Sequence, residues 1–463
     1  MANIKFGTDG WRAIVGKDFN DENVVLVINA IAKYILTNFN IEKPIIIGYD
    51  PRNKADEFAE KAANILANIG FNVLLSESFL PTPVLAYYAK KLNASAIMFT
   101  ASHNPPEYLG IKYIPEYAGP ATSEITEEIV KNVGEIVPSL QKGTIEKRKF
   151  FQEYYEHIDE LIDFKLIKKS GVNIIFDALY SSAIGYFDRI LDIEEIPYEI
   201  LHNKRDVNFG GGLPEPKPKY LQELINKVKE NRNAIGLSND GDADRYGVIN
   251  EKGEYVTPNE IMAMLLIHLV KNKKASGKYV KTVGASLMHN ILAIKLGIGL
   301  IETAVGFKHV GQAMREHDVI LGGEESGGLS IKGHIPEKDG LLANLLVLEM
   351  VATEKKPLYE LQEELKKFIG VTFINDRIDI KLDSKEEITE ILEKVSSDMH
   401  LHELLGIKKI GRKDGIKLYL NDHKSWLLVR PSGTEPLLRI YIETNSKEKM
   451  EQLKKIAKNF TQI

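Results

Sequence analysis

The stretch PIIIGYDPRNKADEFAEKAANILANIG, residues 44–70, shows the unit from which most of this 463-residue chain is built. Its apolar run PIIIGYD predicts a buried strand, and the segment that follows has apolar residues at helical spacing until Gly70 closes the helix. Strands that alternate with helices in this way are typical of layered α/β domains.

The same alternation continues through most of the chain. The length is about three times the ~150 residues expected of one domain, so several domains with clefts between them are expected. From Gly370 the pattern changes to close strands and a final amphipathic helix from Ser446, which predicts a small α+β domain. We also interpret the charged stretch 141–149 as a linker, residues 234–238 as the last strand of the second domain, and strands near Tyr279, Leu300 and Val319 as those of the third. The predicted domains are 1–145, 146–255, 256–368 and 369–463.

Composition excludes several classes of protein. Lys and Arg total 60 against 65 Asp and Glu, a net charge of -5 without a basic block, so we expect no nucleic-acid partner. Cysteine is absent, which excludes thiolate nucleophiles and Cys-ligated zinc and favours a reducing compartment. The apolar stretches fall short of the ~18 residues of a membrane helix. We therefore expect a cytoplasmic protein with no membrane partner and only oxygen ligands for any metal.

Polar residues follow three predicted strands where each strand ends. SAIMFT (95–100) leads into ASHNP, AIGLSN (234–239) into DGDAD, and DVILGG (318–323) into EESGG. Ligands of open α/β sheets bind beyond the carboxyl ends of the strands, so these endings are three candidate walls of one site. A fourth polar cluster, RPSGTEP (430–436), lies between strands of the last domain.

The segment NDGDADRYG places Asp240, Asp242 and Asp244 at alternate positions. This spacing lets one loop direct three carboxylates at a hard cation, and magnesium fits best. A calcium loop is the rival interpretation, but Arg245 occupies the sixth position, where such loops have glycine. An Asp-rich structural turn is the other alternative. Arg245 is also a candidate to receive a phosphate beside the metal.

The segment TASHNPP presents Ser102, His103 and Asn104 at the mouth of a buried strand. Alone it is also typical of a polar turn that caps a strand. A divalent cation next to a serine oxygen, however, is what phosphoryl transfer requires, so the Asp loop makes Ser102 a candidate phosphoryl carrier. Lys112 is close in sequence and is a candidate for proton transfer.

Two further clusters offer contacts for a sugar phosphate. RPSGTEP supplies the guanidinium of Arg430, the hydroxyls of Ser432 and Thr434, and backbone amides around Gly433, which are donors for a phosphate; an ordinary hairpin turn is the alternative. GGEESGG supplies Glu324 and Ser326, whose carboxylate and hydroxyl groups are candidates to bind vicinal sugar hydroxyls; a solvated loop is the alternative. The neighbouring GHIPEKDG supplies His334 and Lys338 as candidate phosphate or proton partners. A lone histidine is more often structural, so we expect His334 not to be catalytic.

Five motifs together resemble one family, the α-D-phosphohexomutases of the phosphoglucomutase and phosphomannomutase superfamily, over essentially the whole chain. They stand in the family's order: FGTDGWR (6–12), TASHNPP (100–106), DGDADR (240–245), GGEESGG (322–328) and RPSGTEP (430–436). The resemblance implies an α/β fold of three mixed-sheet α/β domains plus a C-terminal α+β domain around a central cleft.

The resemblance also implies roles for individual residues. Ser102 would be the phosphoserine, and its phosphate would complete the magnesium site of Asp240, Asp242 and Asp244. Arg12 and Lys112 would serve the phosphoserine and proton transfer, and His103 and Arg245 are the other catalytic candidates. The implied substrate contacts are Glu324, Ser326, Lys338, Arg430, Ser432, Gly433 and Thr434.

The implied reaction moves a phosphoryl group reversibly between C1 and C6 of a hexose through a hexose 1,6-bisphosphate, which also acts as activator. Glu325 and the run HIPEKDG resemble phosphoglucomutases, so glucose 1-phosphate is the favoured substrate. RPSGTEP is also usual in phosphoglucosamine mutases, so that activity and phosphomannomutase stay open. A non-catalytic sugar-phosphate-binding protein is the alternative of another class. The sequence leaves open the phosphorylation state of Ser102, the anomer, the general acid or base and the oligomeric state.

Overall fold

A computed structural model describes residues 4–7, 9–39, 42–139, 142–231, 233–382, 384–431 and 437–461. The first sheet has six strands in the order β1-β5-β4-β2-β3-β6, with β1 and β5 antiparallel to their neighbours. Its elements and helices are β1 Trp11–Ile14, α1 Asp21–Asn38, β2 Ile45–Tyr49, α2 Ala55–Ile69, β3 Val73–Ser76, α3 Thr82–Leu92, β4 Ser95–Phe99, β5 Tyr108–Ile114, α4 Ser123–Lys131 and β6 Ile145–Arg148.

The opening βα unit forms as the sequence predicts. All five residues of β2 are buried, and α2 lies against the sheet through a face rich in alanine. The interpretation of residues 141–149 as a linker is wrong, because β6 pairs in parallel with β3 within that stretch. Its exposed, charged residues lack the apolar alternation of a half-buried strand. The predicted domain limits stay a prediction; the first sheet continues to Arg148, beyond residue 145.

The second sheet has the order β11-β10-β9-β7-β8. Its elements are α5 Gln152–Leu161, α6 Phe164–Ser170, β7 Asn173–Asp177, α7 Phe187–Ile193, β8 Tyr198–Leu201, α8 Gln222–Glu230, β9 Ala234–Asn239, β10 Tyr246–Ile249 and β11 Tyr255–Val256. Strand β9 is therefore not the last strand of this domain, because β10 and β11 follow it in antiparallel pairing.

The third sheet has the order β13-β12-β14-β15. Its elements are α9 Pro258–Lys271, β12 Lys278–Thr282, α10 Met288–Leu296, β13 Leu300–Thr303, α11 Phe307–Glu316, β14 Val319–Glu324, β15 Gly328–Ile331, α12 Gly340–Glu354 and α13 Leu358–Ile369. Strand β15 was not predicted; it pairs antiparallel with β14 and makes the sheet mixed. Helix α12 is buried continuously from Gly340 to Ala352.

The fourth sheet is wholly antiparallel in the described residues and has the order β16-β20-β19-β18-β17. Its elements are β16 Ile374–Lys381, α14 Lys385–Ser397, α15 Met399–Leu405, β17 Ile407–Gly411, β18 Ile416–Leu420, β19 Trp426–Pro431, β20 Leu437–Thr444 and α16 Lys447–Lys458. Its main core is separate from those of the other sheets, and a smaller apolar cluster of Trp426, Leu428 and Tyr441 packs on Val283 of the third domain. The predicted class, three mixed-sheet α/β domains followed by an α+β domain, is confirmed.

The three mixed sheets repeat one arrangement that positions the polar motifs. In each sheet a buried strand with a parallel neighbour is followed by an antiparallel strand: β4 by β5, β9 by β10, and β14 by β15. The motifs TASHNPP, DGDADR and GGEESGG occupy the three connections. In the described part of the chain, no helix is both long and apolar enough to cross a membrane.

Candidate active site

Ser102 lies in the connection between β4 and β5 and is 1% exposed. Its Oγ donates a hydrogen bond of 2.8 Å to Oδ2 of Asp240, which belongs to the second domain. The backbone of Ser102 is left-handed, with φ of 50°. A non-glycine residue in this conformation is uncommon, and such residues cluster at functional sites.

Asp240, Asp242 and Asp244 form one buried cluster in the β9–β10 connection. A carboxylate oxygen from each lies within 4.8 Å of the others. Burial, followed by repulsion from the other two carboxylates, raises the pKa of Asp240 well above its ordinary value. Oδ1 of Asp242 and Oδ1 of Asp244 are buried without a hydrogen-bond partner among the described residues. A cation would satisfy both atoms and the excess charge, so this donor set is able to hold a hard divalent metal ion.

Two lysines neutralise the same cluster from the side of the first and third domains. Lys112 Nζ lies 2.7 Å from Asp9, 2.8 Å from Asp242 and 3.0 Å from Asp244. Lys338 Nζ lies 3.2 Å from Asp244 and 3.5 Å from Asp9. Burial by itself lowers the pKa of Lys112, but the three carboxylates outweigh burial and raise that pKa well above its ordinary value. Lys112 is therefore a cation in this arrangement.

Arginine and histidine side chains surround the other side of Ser102. Arg12 donates to Oδ1 of Asn104 at 2.7 Å, and the main-chain N–H of Arg245 donates to Oδ1 of Asp240 at 3.0 Å. His103 Nδ1 lies 3.2 Å from Ser102 Oγ. Burial, and then the charges of Arg245 and Arg12, lower the pKa of His103 well below its usual range. The imidazole is neutral, and the positive charge at Ser102 comes from the arginines.

The GGEESGG motif forms the tight turn between β14 and β15. Glu324 is 6% exposed and accepts a hydrogen bond from the hydroxyl of Ser326, which is exposed. The turn reaches the end of the loop that carries Asp240, Asp242 and Asp244, because Gly327 O accepts a hydrogen bond of 3.1 Å from Tyr246 N. A Cβ atom at Gly328 would lie 2.3 Å from Lys338 Cδ, so glycine leaves the space through which Lys338 reaches the cluster.

His334 lies outside this cluster, in a buried chain of hydrogen bonds. Its Nε2 lies 2.9 Å from Oδ2 of Asp339, and its Nδ1 lies 3.0 Å from His157 Nε2. Tyr154 donates to the same Asp339 oxygen at 2.7 Å. These contacts suit the structural role expected of a lone histidine.

The phosphate-loop candidates are only partly described. Arg430, on β19, pairs in register with Arg439 of β20, and its Nε lies 3.0 Å from Oδ2 of Asp414. Asp414 also accepts from the main-chain N–H of Val305 at 3.0 Å, which connects this end of the fourth domain to the third. Ser432, Gly433 and Thr434 lie outside the described residues.

The comparison with known families covers all four domains. Residues 3–138, 152–253 and 257–368 match the family descriptions "Phosphoglucomutase/phosphomannomutase, alpha/beta/alpha domain I", "domain II" and "domain III", and residues 379–459 match its "C-terminal domain". The phosphoglucosamine mutase of Carboxydothermus hydrogenoformans is 30% identical, and the match covers 95% of this chain and 94% of that protein. The chain belongs to the phosphoglucomutase/phosphomannomutase family.

Other relatives of this phosphohexomutase carry different substrate names. The phosphoglucomutase of Komagataeibacter xylinus is 27% identical, with 95% of this chain and 87% of that protein covered. A crystal structure described as a "putative phosphomannomutase from Thermus Thermophilus" superposes with a TM-score of 0.86 at 30% identity, covering 99% of each chain. The protein is thus an isomerase, a mutase of the phosphotransferase type in hexose-phosphate metabolism.

Several residues of the phosphohexomutase site were not found from the sequence. The Asp9 carboxylate forms ion pairs with Lys112 and Lys338. Thr82 donates a hydrogen bond to Oδ2 of Asp242 at 2.6 Å. Asp9 stands inside FGTDGWR, so its position in the motif was a usable signal, but only Arg12 was selected there. Thr82 stands between Pro81 and Pro83, which indicate a break between elements and not a site, and only the packing of the first domain on the second reveals its contact with Asp242.

Proposed function

We propose that this phosphohexomutase interconverts the 1-phosphate and 6-phosphate of a hexose through a phosphorylated Ser102, with glucose 1-phosphate as the favoured substrate. The observation that carries the proposal is the position of Ser102 Oγ, buried and 2.8 Å from the nearest carboxylate of the Asp cluster. A phosphoryl group on this oxygen would stand beside carboxylates that have unpaired oxygens and beside two arginines.

In the forward direction, the 6-hydroxyl oxygen of glucose 1-phosphate attacks the phosphorus of phospho-Ser102. The new O–P bond forms as the Ser102 Oγ–P bond breaks, and the hydroxyl proton leaves to a base. The resulting glucose 1,6-bisphosphate reorients in the cleft, and Ser102 Oγ attacks the phosphorus of the 1-phosphate. The new Oγ–P bond forms as the bond between the C1 oxygen and phosphorus breaks, the serine hydroxyl proton leaves to a base, the C1 oxygen takes up a proton, and glucose 6-phosphate is released. Free hexose 1,6-bisphosphate would reload an unphosphorylated enzyme and thus act as activator.

Asp240, Asp242 and Asp244, with the Ser102 phosphate, would hold magnesium. When bound, this ion would supply electrostatic stabilisation of the charge that develops on the transferred phosphoryl group. Arg12 and Arg245 would contribute positive charge to the same group, and the cationic Lys112 and Lys338 would hold the carboxylates in place.

The remaining candidates bind the part of the substrate that does not react. Glu324 and Ser326 would accept from and donate to the sugar hydroxyls, and Arg430 with Ser432, Gly433 and Thr434 would bind the distal phosphate. A site that must accept the sugar in two orientations needs a phosphate subsite at each end, and RPSGTEP supplies the second.

Glucose is favoured because Glu325 and HIPEKDG resemble phosphoglucomutases. Phosphoglucosamine mutase is the second candidate, and its support is the motif RPSGTEP together with the phosphoglucosamine mutases among the relatives. Phosphomannomutase would use the same chemistry. A purely binding protein is disfavoured, since such a relative would be expected to lose the serine or an aspartate.

Initial rates decide between these substrates. The 1-phosphates of glucose, mannose, glucosamine and N-acetylglucosamine would be compared with magnesium and the matching bisphosphate present. We expect the largest kcat/KM for glucose 1-phosphate. A larger value for glucosamine 1-phosphate would replace glucose with glucosamine, and absence of turnover with all four would contradict the mutase proposal.

A further inference from the structure

The backbone of Ser102 is held on both sides by groups from strand ends next to it. Its N–H donates to Oγ1 of Thr100 at 2.8 Å, and its C=O accepts from Nη2 of Arg52 at 2.6 Å. Thr100 Oγ1 donates in turn to Oδ2 of Asp50 at 2.6 Å, and Arg52 Nε lies 3.2 Å from the same oxygen. The buried carboxylate of Asp50 therefore binds both side chains, Thr100 and Arg52, that hold the Ser102 backbone.

The hydrogen-bond partners of Arg52 are unusual for a fully buried arginine. It is 0% exposed and ion-paired with Asp50, yet most of its guanidinium donors go to main-chain oxygens instead of to a carboxylate. The guanidinium donates hydrogen bonds to four main-chain carbonyls of the serine loop, which we define as residues 102–108. These are the carbonyls of Ser102 at 2.6 Å, Asn104 at 2.7 Å, Pro105 at 2.8 Å and Tyr108 at 3.1 Å.

Residues of the second domain close the other side of this arrangement. The Arg52 guanidinium lies 5.0 Å from the centre of the Phe209 ring. A Cβ atom at Gly241 would lie 2.4 Å from Ser102 O, so the loop that carries Asp240, Asp242 and Asp244 packs directly on the carbonyl that Arg52 binds. The Ser102 carbonyl is therefore contacted from two sides, by Arg52 and by the loop that carries Gly241.

We propose that Asp50, Arg52 and Thr100 are positioning residues that keep Ser102 left-handed and so direct its Oγ at Asp240. The inference deepens the proposed function and rests on it, because it concerns the geometry of the proposed phosphoryl carrier. The hydrogen bonds of the three side chains go to each other and to the backbone of residues 102–108, and none of them goes to a predicted substrate contact. Their loss should therefore reduce turnover and leave substrate affinity nearly unchanged.

The physical reason is that the left-handed conformation is disfavoured for serine and persists only where its surroundings impose it. Without the two backbone contacts the loop would sample extended conformations that move Oγ away from the Asp cluster. A misplacement of about 1 Å costs on the order of a hundredfold in rate.

The test uses the full chain and four variants. Thr100→Val removes the hydroxyl and keeps the shape, whereas Thr100→Ser keeps the hydroxyl. Arg52→Lys keeps the charge but cannot reach four carbonyls. Arg148→Lys is the matched control, because Arg148 is in the same domain and bonds Glu153, away from the serine loop.

We expect Thr100→Val and Arg52→Lys to lower kcat by about ten- to a hundredfold with KM within about threefold. Amide exchange at residues 102–108 should be faster in both variants, and Thr100→Ser should restore both quantities. Arg148→Lys should keep wild-type kcat and the same exchange. If Arg52→Lys does not fold, the Thr100 pair carries the test by itself.

Wild-type kcat in Thr100→Val would overturn the proposal, as would a loss of kcat that Thr100→Ser fails to restore. A rise in KM equal to the loss in kcat would also contradict a positioning role. Failure of the proposed function looks different, because the wild type itself would then show no turnover and no phosphoserine.

Discussion

Ser102 and Asp240 are 138 residues apart in the chain, yet the serine Oγ donates to the aspartate Oδ2 at 2.8 Å. The contact joins the first domain to the second, and it places the proposed nucleophile beside a carboxylate cluster that is suited to a cation. Neither residue alone would be suited to phosphoryl transfer. An isolated serine hydroxyl is a weak nucleophile, and an isolated carboxylate binds a divalent ion weakly.

Replacement of Ser102 by alanine should abolish turnover, with a loss of about four orders of magnitude expected for a missing nucleophile. Intact mass spectrometry of Ser102→Ala should show no phosphorylated species after incubation with hexose 1,6-bisphosphate. Ser95→Ala is the control, because Ser95 is a buried serine of β4 that bonds the Tyr113 hydroxyl instead of the Asp cluster. Turnover of Ser102→Ala at the wild-type rate would contradict the assignment.

Replacement of Asp242 by asparagine removes one charge from the cluster and keeps its shape. We expect kcat to fall at least about a hundredfold and the magnesium concentration for half-maximal activity to rise, because the cation stabilises charge that develops during transfer. Initial rates over a magnesium titration measure both effects. The exposed Asp159 provides the control variant Asp159→Asn, which should titrate like the wild type. Full activity of the wild type in excess EDTA would exclude a metal requirement.

The fold and the site were predictable to different extents, for physical reasons. Strands such as β2 and β4 are continuous apolar runs, and the alternate spacing of the Asp triplet is typical of a cation-binding loop. Both features can therefore be recognised from the sequence alone. Strand β6 was missed because it is an exposed edge strand whose charged residues carry no apolar pattern.

The residues that hold the site together were harder to find than those that form it. Arg52 acts through its contacts with four main-chain carbonyls, and any sequence can present a carbonyl. Thr82 contacts Asp242 because the first domain packs on the second, and Asp9 is linked to the cluster through Lys112 and through Lys338 of the third domain. Such contacts depend on the packing between domains, which single-sequence patterns do not encode.

Replacement of Arg430 by alanine should raise KM for hexose monophosphates about ten- to a hundredfold, since a charge-assisted contact to phosphate contributes roughly 1.5–3 kcal/mol. Turnover should also fall, because binding of the distal phosphate orients the sugar. Hydrolysis of phospho-Ser102 by water should be nearly unchanged, since water needs no distal anchor. Steady-state rates and single-turnover loss of the phosphoserine separate these effects.

The exposed Arg412 of the same domain provides the control Arg412→Ala, for which KM should stay at the wild-type value. If Arg430→Ala instead abolishes phosphorylation of Ser102 and leaves KM unchanged, the two phosphate subsites have been assigned the wrong way round.

Acidification should destabilise the protein through His157. Burial, then the neighbouring His334 and Lys90, lower the pKa of His157 from 6.5 to about 4, so the folded protein keeps it neutral where the unfolded chain binds a proton. The stabilisation is fully present above pH 6.5 and is lost as the pH falls toward 4, by about 1–3 kcal/mol at 1.36 kcal/mol per pKa unit. Urea midpoints at about pH 7 and about pH 4.5 measure the change. His157→Gln, which keeps a donor for His334 but cannot titrate, should show a smaller drop; an equal drop in both proteins would assign the acid sensitivity to other groups.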